Sequence, residues 1–193
     1  MAKIEGIINH LFTWEAGLDK RYRALPLEDQ FNEARKKGLA NDPDDSGGLT
    51  NVGITWATYF TYCQMKRIPA RTRDLVGLKY ATWIDILKTL FWNACRADDI
   101  VNQSIANIFV DWFWGSGPSV LRIVQRIVKV EDDGKIGPET IGAINGYKDQ
   151  KALFDQIASA RRSFYLNLVK RRPKDKKFIS GWLRRLNDLH YES

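Results

Sequence analysis

The stretch Asn41-Asp42-Pro43-Asp44-Asp45-Ser46-Gly47-Gly48-Leu49-Thr50-Asn51-Val52-Gly53-Ile54-Thr55 decides how the rest of this 193-residue chain is read. Its acids, single proline and three glycines make a turn-rich segment whose backbone needs angles that glycine supplies. Leu49, Val52 and Ile54 around Gly53 predict a short hairpin. A calcium loop would use Asp42, Asp44 and Ser46 as its first ligands. It would also need a bidentate acid at residue 53, which is glycine, so an EF-hand is excluded.

Toward the N-terminus, Ile4, Ile8, Leu11 and Leu18 recur at helical spacing, with Ile7 and Phe12 beside them. Glu15 falls on the same stripe. Such a carboxylate either sits partly exposed at the edge of the core or is held in a low-polarity site as a general acid. Residues 19–39 are charged and mixed, and predict a loop with a short helix after Pro26.

Toward the C-terminus, helices are predicted over 56–66 and 82–92, starting from Thr55 and from Ala81-Thr82 as caps. The apolar run 104–114 predicts a buried helix whose lone Asp111 serves a hydrogen bond. Gly115-Ser116-Gly117-Pro118 breaks the chain, and an amphipathic helix follows over 120–128. Asp133-Gly134 predicts a turn, and Gly137-Pro138 the entry to another helix. Final helices are predicted over 150–170 and 178–190.

Composition narrows the chemistry. Hydrophobic residues are 44% and charged residues 27%, the balance of a globular chain. Two cysteines without a CxxC pair exclude a disulfide scaffold and a zinc ribbon. Two histidines leave little material for a metal site or a Ser/His/Asp triad, and no phosphate-binding or HExxH motif is present. Apolar runs are too short for a membrane span, and the N-terminus lacks signal-peptide features. What the sequence supplies in quantity is carboxylate: Glu15 on a helix and three acids on a glycine-rich loop. Two carboxylates in different environments are what glycosidic bond cleavage requires. Net charge is +7, and Arg161 to Arg185 holds ten Lys or Arg against the single acid Asp175. That segment predicts either a solvated basic face or one that meets a polyanion.

Phe12-x-x-Glu15-x-Gly17 followed by Asn41-Asp-Pro-x-Asp-x-Gly-Gly-x-Thr-Asn-x-Gly-Ile-Thr55 resembles the lysozyme-type N-acetylmuramidases of glycoside hydrolase family 108, a family of secretion activators and phage or prophage endolysins. Ala16 replaces the first glycine of the family's Glu-Gly-Gly, a change that bears on how closely sugar approaches backbone. The segment 19–39 is longer than that family implies. The run from Gln125 through Asp133-Gly134-x-x-Gly137-Pro138-x-Thr140 resembles helical peptidoglycan-binding modules.

The resemblance implies a mainly α, lysozyme-like fold with a small hairpin or irregular loop at the cleft. It implies a catalytic region at 1–115 and a helical peptidoglycan-binding-like region at 116–193 packed on it. Glu15 matches the catalytic acid, Asp45 the second motif Asp and Thr50 the Thr after the glycine pair. Asp42 is read as a turn former and Asp44 as solvent-exposed. The implied activity is hydrolysis of the β-1,4 bond between N-acetylmuramic acid and N-acetylglucosamine, with Asp45 orienting water or stabilising developing charge and Thr50 helping to hold that water. The alternatives are a non-catalytic cell-wall-binding or secretion-regulating protein and, last, a nucleic-acid binder. No cofactor or metal is expected. The expected partner is peptidoglycan, with anionic envelope polymers also considered and no specific nucleic acid, and the chain is expected to be a monomer. It is expected to be made in the cytoplasm and to reach the wall by holin-type or other non-classical release.

Overall fold

A computed structural model describes residues 1–41 and 48–192. The chain forms two compact units, one of Ile7–Leu90 and one of Met1–Gly6 with Phe91–Ser193. Its fold is mainly α and lysozyme-like, with one small antiparallel sheet.

In the first unit, helix α1 (Glu5–Ala16) buries Ile7, Ile8, Leu11 and Phe12, the predicted stripe. It stops because Gly17 takes φ +60° and Leu18 N–H bonds back to Phe12 O at 3.2 Å. That bond gives the Phe12 carbonyl a partner beyond the helix end, across a left-handed residue that glycine adopts at little cost. The mixed segment is more ordered than expected. It forms a 3₁₀ turn (Lys20–Ala24) capped by Asp19, then a twelve-residue helix α2 (Leu27–Gly38) that buries Phe31 and Ala34.

Strands β1 (Leu39–Asn41), β2 (Leu49–Asn51) and β3 (Ile54–Thr55) form the sheet in that order. Thr50 pairs with Ala40 on one side and Thr55 on the other. Helix α3 (Trp56–Lys66) starts where Thr55 predicts, its hydroxyl accepting from Thr58 N–H at 3.2 Å. Helices α4 (Thr72–Val76) and α5 (Tyr80–Ile86) follow. The helix expected at Thr82 begins two residues earlier, and the Lys79 carbonyl takes its first bonds without any side-chain cap. Its continuation Leu87–Trp92 is a π-helix. Burial of Trp83, Ile86 and Leu87 sets this frame in place of a hydroxyl cap. The fully buried rings of Phe12, Phe31 and Trp83 tie α1, α2 and α5 together, with Phe12 and Trp83 centroids 4.8 Å apart.

The other unit contains α6 (Gln103–Ser116), α7 (Ser119–Ile127), α8 (Pro138–Asn145), α9 (Gln150–Arg171) and α10 (Ile179–Asn187). Asn102 caps α6 by accepting from Ile105 N–H, and Pro138 opens α8 at its first position as expected. Asp111 is fully buried on α6, beyond the single hydrogen bond predicted for it. Its carboxylate meets Arg161 of α9 at 2.7 Å and Arg185 of α10 at 2.7 Å. Among the described residues no helix is long and apolar enough to cross a membrane. Cys63 and Cys95 are buried free thiols.

Candidate active site

Glu15 lies on the last turn of α1, half-buried, one residue before the helix ends. Facing it is the two-residue turn between β2 and β3. Val52 (φ 44°) and Gly53 (φ 76°) both lie in the left-handed region, as a tight hairpin turn of type I′ requires. A Cβ placed on Gly53 would stand 2.7 Å from Glu15 Cγ and Oε2, so the glycine's missing side chain is what admits the carboxyl.

A β-branched residue at positive φ is strained, and the surroundings hold Val52 there. Its N–H donates to Gly38 O at 3.0 Å, its carbonyl accepts from the Trp83 indole N–H at 3.0 Å, and its side chain is fully buried. Next to it, buried Asn51 donates through Nδ2 to Leu75 O at 2.9 Å and Val76 O at 3.1 Å, fixing β2 to the end of α4. Ala16, next to Glu15, is buried, and its methyl occupies the space in front of Gly38. Its methyl therefore packs against α2.

Of the residues singled out from sequence, Glu15 is set against the hairpin turn. Thr50 is on the central strand, three residues before Gly53, with its hydroxyl donating to Gly48 O at 3.3 Å. Asp45, with Asp42 and Asp44, lies outside the described residues. Sequence reasoning missed Asn51, Trp83 and Gly38. Asn51 and Gly53 fall inside the quoted motif, so their exceptional spacing was a signal; Trp83 gave none beyond its place on an apolar helix face. Among the described residues no group of His, Cys, Asp and Glu is placed to hold a metal.

In the second unit, Gln125 organises the segment from Asp133 to Thr140. Its Nε2 donates to Asp133 Oδ1 at 2.8 Å and Lys135 O at 3.0 Å, and its Oε1 accepts from Gly134 N–H at 2.8 Å. The Gln125 hydrogen bond, with that from Lys135 N–H, holds the Asp133 carboxyl below its ordinary pKa. This motif is therefore a structural clasp. The basic segment also needs correction: Arg161 and Arg185 are taken up by Asp111, while Arg162, Lys170, Arg171, Arg172, Lys174, Lys176, Lys177 and Arg184 remain exposed.

A glutamate ending a helix against a glycine turn, in a mainly helical chain with one small sheet, places the protein in the lysozyme-like class. Residues 33–117 match the family described as Glycosyl hydrolase 108, and residues 119–187 match that described as Predicted Peptidoglycan domain. The fold is similar to a solved structure from Brucella abortus, that of SagA, with 25% identity and a TM-score of 0.67 over 82% of this chain and 86% of that one. No curated protein matches. The two matches, one to a glycosyl hydrolase model and the next to a peptidoglycan domain model, together support a peptidoglycan hydrolase. Glu15 precedes the matched residues, so its assignment rests on the motif it carries and on its contact with Gly53.

Proposed function

We propose that the chain is an N-acetylmuramidase that cleaves the β-1,4 bond between N-acetylmuramic acid and N-acetylglucosamine in peptidoglycan. Glu15 protonates the leaving oxygen, while Asp45 orients water or stabilises the oxocarbenium-like charge, and Thr50 helps to hold that water. Chemistry belongs to 1–115 and attachment to the wall belongs to 116–193. The observation that carries this reading is the contact between Glu15 and Gly53. It brings the acid of one sequence motif against the turn of the other, at a glycine with no side chain to displace the carboxyl.

Mass spectrometry of digested peptidoglycan tests the reaction: fragments ending in reducing N-acetylmuramic acid are expected. Reducing N-acetylglucosamine ends would reassign the bond. Walls that bind the protein but release no fragments would favour the non-catalytic binder. Glu15→Gln should lower turnover by about 10²–10⁴-fold with folding retained, because it removes the transferable proton at nearly constant size. Wild-type activity in that variant would remove Glu15 from the mechanism.

A further inference from the structure

Beyond the hairpin, the same unit holds a hollow of about 600 Å³ lined by Trp56, Ala70, Arg71, Thr72 and Arg73. Trp56 directly follows β3 and is three positions after Gly53, so their Cα atoms lie within roughly 11 Å of each other. Gly53 touches the Glu15 carboxyl, which puts the hollow within a short saccharide's reach of the proposed acid. The Trp56 indole is half-buried and packs against Tyr59 and Phe60, with centroids 6.0 and 6.3 Å away. Such a supported ring offers a sugar an apolar platform and a polar edge.

The two arginines give this hollow its charge. Both are exposed. Arg71 makes no side-chain cap to α4, and Arg73 approaches Asp74 only at 3.8 Å, beyond hydrogen-bond range. Two guanidiniums flanking an aromatic ring suit a ligand that joins a sugar ring to carboxylates, since the planar fork pairs with carboxylate in two parallel bonds. Peptidoglycan has that chemistry: its muramyl residues carry acidic peptide stems, whereas a neutral N-acetylglucosamine polymer does not.

We propose that Trp56, Arg71 and Arg73 form a substrate subsite that seats a sugar ring on the indole and the acidic side group of the same glycan on the guanidiniums. This subsite rests on the reading of the chain as a peptidoglycan hydrolase, and it adds how an anionic wall glycan is told from a neutral one.

The test uses soluble, uncross-linked peptidoglycan strands and the same strands with their carboxylates converted to methylamides. Calorimetry on the full chain carrying Glu15→Gln measures affinity without turnover. Native strands should bind about three- to tenfold more tightly than neutralised ones, the scale of two solvent-exposed ion pairs. Arg71→Gln with Arg73→Gln should erase that preference and leave the affinity for neutralised strands unchanged. Trp56→Ala should weaken both strands alike. Thermal unfolding of each variant checks that the fold persists. An undiminished preference in the double arginine variant, or unchanged binding in Trp56→Ala, overturns the subsite. Should Glu15→Gln itself still cleave the strands, the catalytic assignment fails, while the affinity difference, read on initial binding, still decides the subsite.

Discussion

Gly53 and Glu15 stand so close that one additional carbon on the glycine would lie 2.7 Å from the carboxyl oxygen Oε2. Thirty-eight positions apart in sequence, they meet because α1 stops at Gly17 and because Val52 is pinned from both sides. The carboxyl is the far end of a flexible side chain, so intrusion at Gly53 would displace it at small cost to the fold. Displacement of an acid is a catalytic fault first and a structural one second.

Gly53→Ala should therefore lose about 10²-fold in turnover, the effect of misplacing a reacting group by roughly 1 Å. Its loss of stability should be about 1–2 kcal/mol, from alanine held at positive φ. Gly17→Ala is the control, because its backbone is also left-handed but nothing lies within 4 Å of the added carbon. It should show a similar stability loss with a far smaller loss of turnover. Equal activity losses in steady-state assays would break the link between the turn and the acid.

Asp111→Asn should destabilise the chain by about 3–5 kcal/mol, because it leaves the buried Arg161 charge, and the partly buried Arg185 beside it, without their counter-charge. Chemical denaturation measures this directly. A loss under about 1 kcal/mol would mean that the cluster is solvated and contributes little to packing.

Asp85 joins α5 to α3 by accepting from Tyr62 Oη at 2.6 Å and from Lys66 Nζ at 3.1 Å. Burial alone would raise its pKa, but the hydrogen bonds from Lys66 and Tyr62 outweigh that effect and leave it lowered. A lowered carboxylate stabilises the fold above its unfolded pKa of about 3.9 and loses that contribution as pH falls through the folded value. The melting temperatures of wild type and Asp85→Asn should differ by a constant amount near neutrality and converge below about pH 4. With the carboxylate side chain 41% exposed, solvent screening keeps the neutral-pH difference under about 1 kcal/mol. A gap that widens in acid would contradict the sign.

Replacing Arg171, Arg172, Lys176 and Lys177 by Gln should weaken sedimentation with whole cell walls at low salt. Cleavage of a short soluble muropeptide should be unchanged. These side chains are exposed and outside the Asp111 cluster, and their attraction is screened over about 8 Å at physiological ionic strength. Equal losses on both substrates would give the segment a part in the active site.

What the sequence by itself determined were features with local causes. The apolar stripe of α1 with Glu15 on it, the hairpin around Gly53, the Thr55 cap and the entry of α8 at Pro138 each follow from periodicity or from which residues tolerate a given φ. The chain's neighbours within a few positions suffice for these. Tertiary structure alone decided which distant groups complete them. Asn51 finds its carbonyls 24 and 25 positions away, the Trp83 indole finds Val52 at 31, and Arg185 finds Asp111 at 74. Charge counting placed Arg161 and Arg185 on a basic face, whereas packing draws both to Asp111. The physical reason is the same in each case. A buried polar group or methyl is satisfied by whatever the collapsed chain brings beside it, and that depends on packing between segments.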